Sequence, residues 1–478
     1  MTGPPFALHP PPAPGELLDL PPLAEYRSVL EDIRRHGGRP LLVGGCVRDL
    51  LLNGEFQPLD VDLEVQALEP GTLRAILLSA GGHERGKSFA VFGLGPLEFA
   101  LPRRERKTGP GHKGFDVEAD PDLPFPLASA RRDVTINSMG FDPWTGEILD
   151  PHGGRADLAA GILRHTSRRF SEDPLRVLRV MQFAARFCFA VAPSTIELCR
   201  SLDLSELPRE RLWGEWKKLL LKGRRPSFGL RFLERCGALR FFPELQVLPE
   251  TPQDPGWHPE GNVWEHTLLA LDAAVEFRTG EEEFDLALML GVLCHDMGKA
   301  TTTYYDPEKD RIVSPRHEPL GVAPALSFLA RLTNETRLTE TVAALVARHL
   351  APHQLYKESL KGLDVRPALR RLALKVDPLL LERVARADHF GRRTKDALER
   401  NFPAGDFFLR EIQALELEEK KPAPIVMGRH LLAEGLPPGP EMGRWLKRLF
   451  QAQLDGEFDT LEEGLALFRK WRPRPPGD

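Results

Sequence analysis

The sequence predicts an α+β protein: an N-terminal head built on a mixed sheet with helices, followed by an all-α neck, a second all-α domain and a helical tail. Three observations carry this prediction. Residues 41–65, LLVGGCVRDLLLNGEFQPLDVDLEV, read as strand, glycine turn, short helix, loop and second strand. Residues 88–103, SFAVFGLGPLEFALPR, read as a further strand pair. After DPHGGRADLAAGILRH, residues 150–165, the chain passes into helical segments and changes character at Phe241-Phe242-Pro243. The expected organisation is a Pro-rich disordered extension (1–24), the head (25–158), the neck (159–240), the second helical domain (241–402) and the tail (403–478).

In order, residues 1–15, MTGPPFALHPPPAPG, have the composition of a disordered extension. Residues 23–36 then form an amphipathic helix leading into the first strand, residues 41–43. Gly44-Gly45 lets the backbone turn with no Cβ in the way, so amide N–H groups can approach phosphate oxygens closely. Residues 47–52 open a helix whose N-terminus directs partial positive charge to the same place. In Leu59-Asp60-Val61-Asp62-Leu63 the strand period of two sends both carboxylates to one face. Two like charges there need a cation between them, and hard oxygen ligands suit Mg²⁺ carrying a nucleotide triphosphate.

Residues 72–80 read as a helix stopped by Gly81-Gly82. In Leu97-Glu98-Phe99-Ala100-Leu101 the glutamate falls opposite the apolar face, which makes Glu98 a candidate third carboxylate of the site. Residues 104–130, rich in Gly, Pro and charge, read as a mobile loop. ARRDVTINSMGFDP, residues 130–143, reads by pattern alone as a strand with a charged lead-in. Its arginines can neutralise phosphate, Asp133 can orient an arginine, and Asn137 offers donor and acceptor to a ribose hydroxyl. A helix then begins at Ser171-Glu172-Asp173-Pro174, with Asp173 as N-cap and Pro174 at the first helical position. Arg176, Arg179 and Arg186 form one basic stripe on it.

The whole-chain numbers are those of a soluble globular protein: 478 residues, 28% charged and 42% hydrophobic. Five scattered cysteines without a C-x-x-C pair suggest neither a disulfide framework nor a thiolate zinc site, and fit a reducing cytoplasm. No apolar run reaches the roughly 18 residues of a membrane span, and the N-terminus lacks the basic start and apolar core of a signal peptide. The net charge of −5 argues by itself against a polyanionic partner. Basic runs nevertheless occur at residues 103–107, 164–170, 209–225 and 366–375, with acid concentrated elsewhere. Each run alone reads equally as a solvated helix face, and their clustering after the glycine and aspartate motif favours nucleic acid.

The order and spacing of the glycine pair and Asp60-Val61-Asp62 resemble the nucleotidyltransferase superfamily. The surrounding VGGCVRDLLL is similar to its tRNA nucleotidyltransferase and bacterial poly(A) polymerase branch. The resemblance implies that Asp60 and Asp62 hold two metal ions, which activate a ribose hydroxyl and bind the leaving pyrophosphate. It places Gly44, Gly45 and Arg48 on the triphosphate and Arg132, Asp133, Asn137 and Arg179 in the nucleotide site. EFALPRRER supports Glu98 as catalytic. EDPLR matches a base-reading motif, in which Asp173 accepts from the exocyclic amine of cytosine or adenine and Arg176 donates to a ring acceptor. Uracil and guanine present a carbonyl there and are rejected without a template. Members that add the final adenosine use a flexible loop at 104–130; here its end reads Pro-Phe-Pro-Leu-Ala where an acidic Glu-Asp-Leu is usual. Residues 210–215 look like the family's neck, and the tail like its C-terminal element, whose basic and aromatic side chains could grip distal tRNA.

The second helical domain carries His266, His295-Asp296, Gly298-Lys299, His317, His349, His353 and Asp388. This resembles the HD phosphohydrolase superfamily, which implies that His266, His295, Asp296 and Asp388 hold a divalent metal that activates water. Imidazole and carboxylate ligands without thiolate suit Mg²⁺, Mn²⁺, Ni²⁺ or Co²⁺ more than structural zinc. Active relatives can carry an aspartate directly after the later histidine; this chain has Leu350 after His349.

The expected function is template-independent addition of C, C and A to the tRNA 3′ end from CTP and ATP, with Mg²⁺ in the head, a divalent metal in the HD domain and no membrane partner. An A-adding, CC-adding or poly(A) enzyme shares all these motifs. From other classes, an HD phosphohydrolase with a nucleotide-sensing head, or a catalytically silent HD interaction domain, remains open. Sequence fixes no oligomeric state.

Overall fold

In the computed structural model, which describes residues 6–56, 60–85, 91–107, 115–417 and 421–472, the chain divides into two units, Met1–Pro243 and Glu244–Asp478. The first unit has the α+β character expected. Helix α1 (Arg27–Arg35) leads to β1 (Arg39–Val43), then α2 (Gly45–Asn53), β2 (Val61–Gln66), α3 (Pro70–Ser79), β3 (His83–Arg85), β4 (Val91–Leu94) and β5 (Leu97–Ala100). Beyond these come β6 (Arg103–Lys107), β7 (Phe115–Ala119), α4 (Phe125–Ser129), β8 (Gly140–Phe141), β9 (Ile148–Leu149) and α5 (Gly154–Ala160). The sheet order is β3-β4-β5-β2-β1-β8-β9, with β2 and β5 parallel and the other neighbours antiparallel. Leu41 and Val43, on one face of β1, pack on Phe125 of α4, and the sheet is buried there.

The neck is β10 (Ile162–Leu163), α6 (Leu175–Phe187), β11 (Ala190–Val191), α7 (Pro193–Arg200), α8 (Arg209–Lys222) and α9 (Pro226–Arg235), with α6 lying against both α8 and α9. Apolar residues at helical spacing, Val177, Leu178, Met181 and Ala185, bury one side of α6. The opposite side keeps its arginines.

Three expectations need correction. Residues 6–24 are not disordered: Phe6 N–H donates to Ala159 O at 2.7 Å, His9 N–H to Leu51 O at 2.9 Å and Gly15 N–H to Pro143 O at 2.8 Å. Proline counting missed Leu17, Leu18 and Leu23, each 0–1% exposed, which supply the burial that docks the segment. The stretch 104–130 is not one loop: β6 and β7 pair antiparallel from Arg103↔Ala119, and α4 follows. Charge content says nothing about backbone register, which satisfies the N–H and C=O groups of both segments; residues 108–114 lie outside the described residues. The RRDVTIN segment is no strand; Thr135–Asn137 is a 3₁₀ turn before β8.

The second unit is helical. After the single turn α10 (Pro243–Gln246) come α11 (Val263–Ala274), α12 (Glu282–Cys294) and α13 (Lys299–Thr302). A hairpin, β12 (Tyr304–Asp306) and β13 (Arg311–Val313), precedes α14 (His317–Leu332), α15 (Thr336–Val346), α16 (Ala351–Ser359), α17 (Arg366–Ala373) and α18 (Pro378–Gly391). Asn262 and Asp377 cap α11 and α18, accepting from Glu265 and Leu380 N–H at 2.9 Å each. The two helices cross closely: a Cβ on Gly391 would lie 2.6 Å from Ala270 N. The helices α19 (Lys395–Leu398) and α20 (Pro403–Ala414) complete the body, and residues 421–472 add a separate small core around Val426, Leu431, Leu449 and Phe468. The basic run at 366–375 is largely held in ion pairs: Arg370 with Asp459, Arg371 with Asp455 and Arg366 with Asp364. That pairing weakens its reading as a nucleic-acid contact.

Docking of the N-terminal segment makes it part of the head's core. Leu17→Ala is expected to destabilise the head by about 2–4 kcal/mol, read as a lowered denaturant midpoint; an unmoved midpoint would mean the segment is not packed in solution.

Candidate active site and metal centre

The site in the first unit starts at the β1–α2 turn. Gly44 has φ +80°, and a Cβ there would lie 3.0 Å from Arg132 Nη1 and 3.2 Å from Asp62 Oδ2. Only glycine lets a guanidinium and a carboxylate converge on this backbone. Asp62 lies on β2 beside Glu98 of β5 in parallel register, so both side chains leave the same face. Burial pushes the Asp62 carboxyl up and Asp60 adds to it, while Arg132 and Arg179 pull it back.

Around these residues lies a cavity of about 610 Å³, lined by Gly44, Gly45, Asp60, Asp62, Asp133, Asn137, Asp173 and, with other residues, a set of cations. Nine cationic side chains line it, Arg48, Arg131, Arg132, Arg176, Arg179, Arg186, Arg211, Lys218 and Lys222, against four carboxylates. The local excess of positive charge reverses the sign of the chain's net charge and suits a triphosphate.

Of the predicted residues, only Glu98 is not among those lining the cavity; it stands one strand over from Asp62 and pairs with Arg85 at 3.6 Å. Several others brace the wall. Arg48, 3% exposed, donates to Asn137 Oδ1 at 2.5 Å and, through Nε and Nη2, to both oxygens of Asp49 at 2.8 Å, with Phe187 4.6 Å below. Asn137 Nδ2 donates to Asp133 Oδ1 at 3.1 Å, and Arg179 Nε to Asp133 Oδ2 at 2.6 Å. Asp173 accepts from Leu175 N–H at 3.1 Å, so α6 starts one residue later than expected. Its carboxylate pairs with Arg211, at 2.7 and 3.3 Å, rather than with Arg176, which donates to the carbonyls of Arg169 and Arg131. Arg211 was not singled out by sequence reading, because its partner Asp173 lies 38 residues away along the chain; Glu215, also not singled out, takes Lys218 on its own helix at 2.8 Å and lies 3.9 Å from Arg179 of α6.

In the second unit His266, His295, Asp296 and Asp388 come together, all 0–2% exposed. His266 Nε2 is 3.0 Å from Asp388 Oδ1 and 3.3 Å from His295 Nε2, which is 3.2 Å from Asp296 Oδ2. Glu260, missed in the sequence, accepts from His258 and His266 Nδ1, each at 2.8 Å, and so aims His266 Nε2 inward. Lys299 Nζ is 2.7 Å from Asp296 Oδ2, and Arg392 contacts Asp388 at 3.3 Å. Against burial, which would raise them, these cations and His295 hold both aspartates well below the usual carboxylate range. Ionised carboxylates and imidazoles buried together fit a divalent cation. His317 and His349 join Asp296 from the other side. Glu318, at the start of α14, accepts from Gln354 Nε2 at 3.4 Å, and burial pushes its carboxyl up.

With this geometry in place, comparison with known proteins is direct. Residues 41–164 match the poly A polymerase head domain family and residues 263–393 the HD domain family. The multifunctional CCA protein of Alkalilimnicola ehrlichii is 40% identical over 370 residues, covering 73% of this chain and 84% of that one. This chain belongs to the multifunctional CCA protein family. The family member of Halorhodospira halophila is 37% identical over 421 residues, covering 84% and 92%. Among solved structures, the Thermotoga maritima CCA-adding enzyme complexed with tRNA has a TM-score of 0.60 at 18% identity, covering 96% of this chain and 99% of that one. The Bacillus stearothermophilus CCA-adding enzyme in complex with CTP has a TM-score of 0.60 at 22% identity, covering 95% and 98%. These likenesses establish the fold of both units as that of the CCA-adding enzymes.

The Asp133 interaction is testable. Burial alone would raise its carboxyl, but Arg179, with Val134 N–H and Asn137, holds it below the ordinary range. A depressed folded pKa stabilises above the unfolded value, about 4, and that contribution is lost as pH falls through the folded value. Asp133→Asn should therefore cost about 1–3 kcal/mol near neutrality, the low end reflecting a partly solvated Arg179, with the deficit shrinking below about pH 4. Denaturant midpoints at pH 7 and pH 3 check this; a deficit independent of pH would exclude the ion pair as its source.

Proposed function

We propose that this chain is a template-independent tRNA nucleotidyltransferase that adds C, C and A to the 3′ end of tRNA from CTP and ATP in the cytoplasm. The observation that carries the reading is one cavity in which Asp60 and Asp62 face a wall of arginines across the Gly44 turn. The names of the relatives agree with it, and so do the solved CCA-adding enzymes complexed with tRNA, CTP and ATP. We assign residues 25–158 as the palm, 159–240 as the neck, 241–402 as the HD domain and 403–478 as the tail.

Asp60 and Asp62 would hold Mg²⁺, as the tight Gly44 cradle and two carboxylates, one at the start of β2 and one just before it, suit it; Mg²⁺ supplies charge neutralisation at the triphosphate and at the attacking ribose oxygen. Gly44 and Gly45 keep the backbone bare for phosphate, and Arg132 reaches the same point. The Arg48–Asn137–Asp133–Arg179 network fixes the wall, so the arginines need not reorganise as the nucleotide binds. Asp173, held by Arg211, presents a carboxylate that can accept from the amine of cytosine or adenine and repels the carbonyl of uracil or guanine. Arg176, anchored on two carbonyls, lies one helical turn along and donates to the base. Glu98 shares the face of Asp62 and would serve as a third carboxylate once freed from Arg85.

A second activity is favoured by the buried imidazole and carboxylate cluster. His266, His295, Asp296 and Asp388 would hold Mg²⁺, Mn²⁺, Ni²⁺ or Co²⁺, which supplies an activated water for phosphoester hydrolysis.

The deciding experiment offers three synthetic tRNAs, ending before CCA, after C and after CC, with each nucleoside triphosphate singly and with CTP and ATP together. Addition of CC and then A, stopping there, is expected. Stopping after CC, accepting only the CC-ended substrate, or continuing with A would replace the reading by a CC-adding, A-adding or poly(A) enzyme. Asp62→Asn should lower incorporation about 10²–10³-fold, the scale of removing one group that stabilises transition-state charge, and leave phosphatase activity intact. Unchanged incorporation would remove Asp62 from the site.

A further inference from the structure

The polar face of β2 does not end at Asp62. Two residues along, Glu64 leaves the same face, but Asp62 opens onto the cavity whereas Glu64 is 1% exposed. Its neighbours explain the burial: Leu41 of β1 and Ala100 of β5 stand beside it in register, and Phe125 of α4 packs on Leu41. A carboxylate in such a setting is costly unless cations or hydrogen-bond donors offset the lost water. Oε1 of Glu64 has no hydrogen-bond donor among the described residues, and Oε2 lies 3.9 Å from Arg131 Nη2. Stability alone would favour an apolar side chain at this position. The charge acts on Arg131.

Arg131 stands where the two halves of the site meet. Its side chain lines the cavity, and its carbonyl accepts from Arg176 Nη2 at 2.6 Å. The next residue, Arg132, brings Nη1 to the Gly44 turn. The backbone on either side is tied down, Ala130 O accepting from Ser167 Oγ at 2.6 Å and Arg132 N–H donating to Ser129 O at 3.0 Å. Between these ties the Glu64 charge draws the Arg131 guanidinium toward β2 and restricts the residue, and with it the carbonyl on which Arg176 leans. Arg176 has a second anchor at Arg169 O, so loss of the first would leave it attached but less directed.

We propose that Glu64 is a positioning residue for nucleotide selection: its buried charge holds Arg131 against β2, and Arg131 holds Arg176 in the direction from which it meets the base. This rests on the reading of the head as a polymerase site in which Arg176 donates to the base. Cytosine needs both Asp173 and Arg176. Uracil, refused by Asp173, gains little from Arg176 and so loses little when that arginine is misdirected.

The test measures kcat/KM for CTP and for UTP on a synthetic tRNA ending before CCA, with the full chain. Glu64→Gln keeps the shape and removes the charge; the CTP to UTP ratio is expected to fall about tenfold, the weak end of a charge-assisted contact because the pair is long. Arg131→Met should lower the ratio by a like amount, and Glu64→Gln added to Arg131→Met should lower it no further. Partial unfolding scales both nucleotides alike and cannot move the ratio. A ratio unchanged in Glu64→Gln, whether or not both rates fall, overturns the proposal. So does a full further loss in the Arg131→Met background, which would detach Glu64 from Arg131. If Glu64→Gln fails to fold, Arg131→Met alone decides, and an unchanged ratio there overturns the proposal as well. A parent chain that incorporates neither nucleotide, or both alike, overturns the base-selecting reading of the head itself.

Discussion

The head depends on one steric allowance. At Gly44 the chain turns from strand into helix with positive φ, and the absent side chain leaves room for Asp62 from β2 and Arg132 from the segment after α4 to approach from two directions. A methyl group in that space would crowd both side chains, and the positive φ would strain any residue that carried one. The sheet order that places β2 next to β1 and the helix that begins at Gly45 both serve this convergence, and the remaining arginines are arrayed around it.

The electrostatics of the cavity follow from pairing rather than from number. Nine cations in one cavity would repel strongly if all were free. Asp133, Asp173 and Glu215 each take one or more of them, holding Arg179, Arg211 and Lys218 in fixed directions. The result is a wall whose charge is positive in sum yet locally ordered, which is what a triphosphate and a selected base both require.

Short-range features of the site were legible in the sequence because a strand or helix period fixes them. The glycine pair, Asp60 with Asp62, and the arginine stripe on α6 are of this kind. Asp173 with Arg211 is not: 38 residues separate them, and only the packing of α6 on α8 brings them into contact. The Pro-rich N-terminus misled because composition averages over positions, whereas two adjacent leucines and a third decide whether the segment docks. The HD ligands were recognisable by spacing and resemblance. Their ring orientation was not, since it depends on main-chain carbonyls one turn back at Val292 and Val346.

The docked N-terminal segment also fastens together elements that lie far apart along the chain. Phe6 N–H bonds to Ala159 O in α5 and its ring lies tilted against Phe189 at 4.9 Å, while His9 bonds to Leu51 in α2 and Gly15 to Pro143 between β8 and β9. Contacts spanning up to about 180 residues cost loop-closure entropy before they stabilise anything, so topology rather than local propensity limits how fast the segment docks.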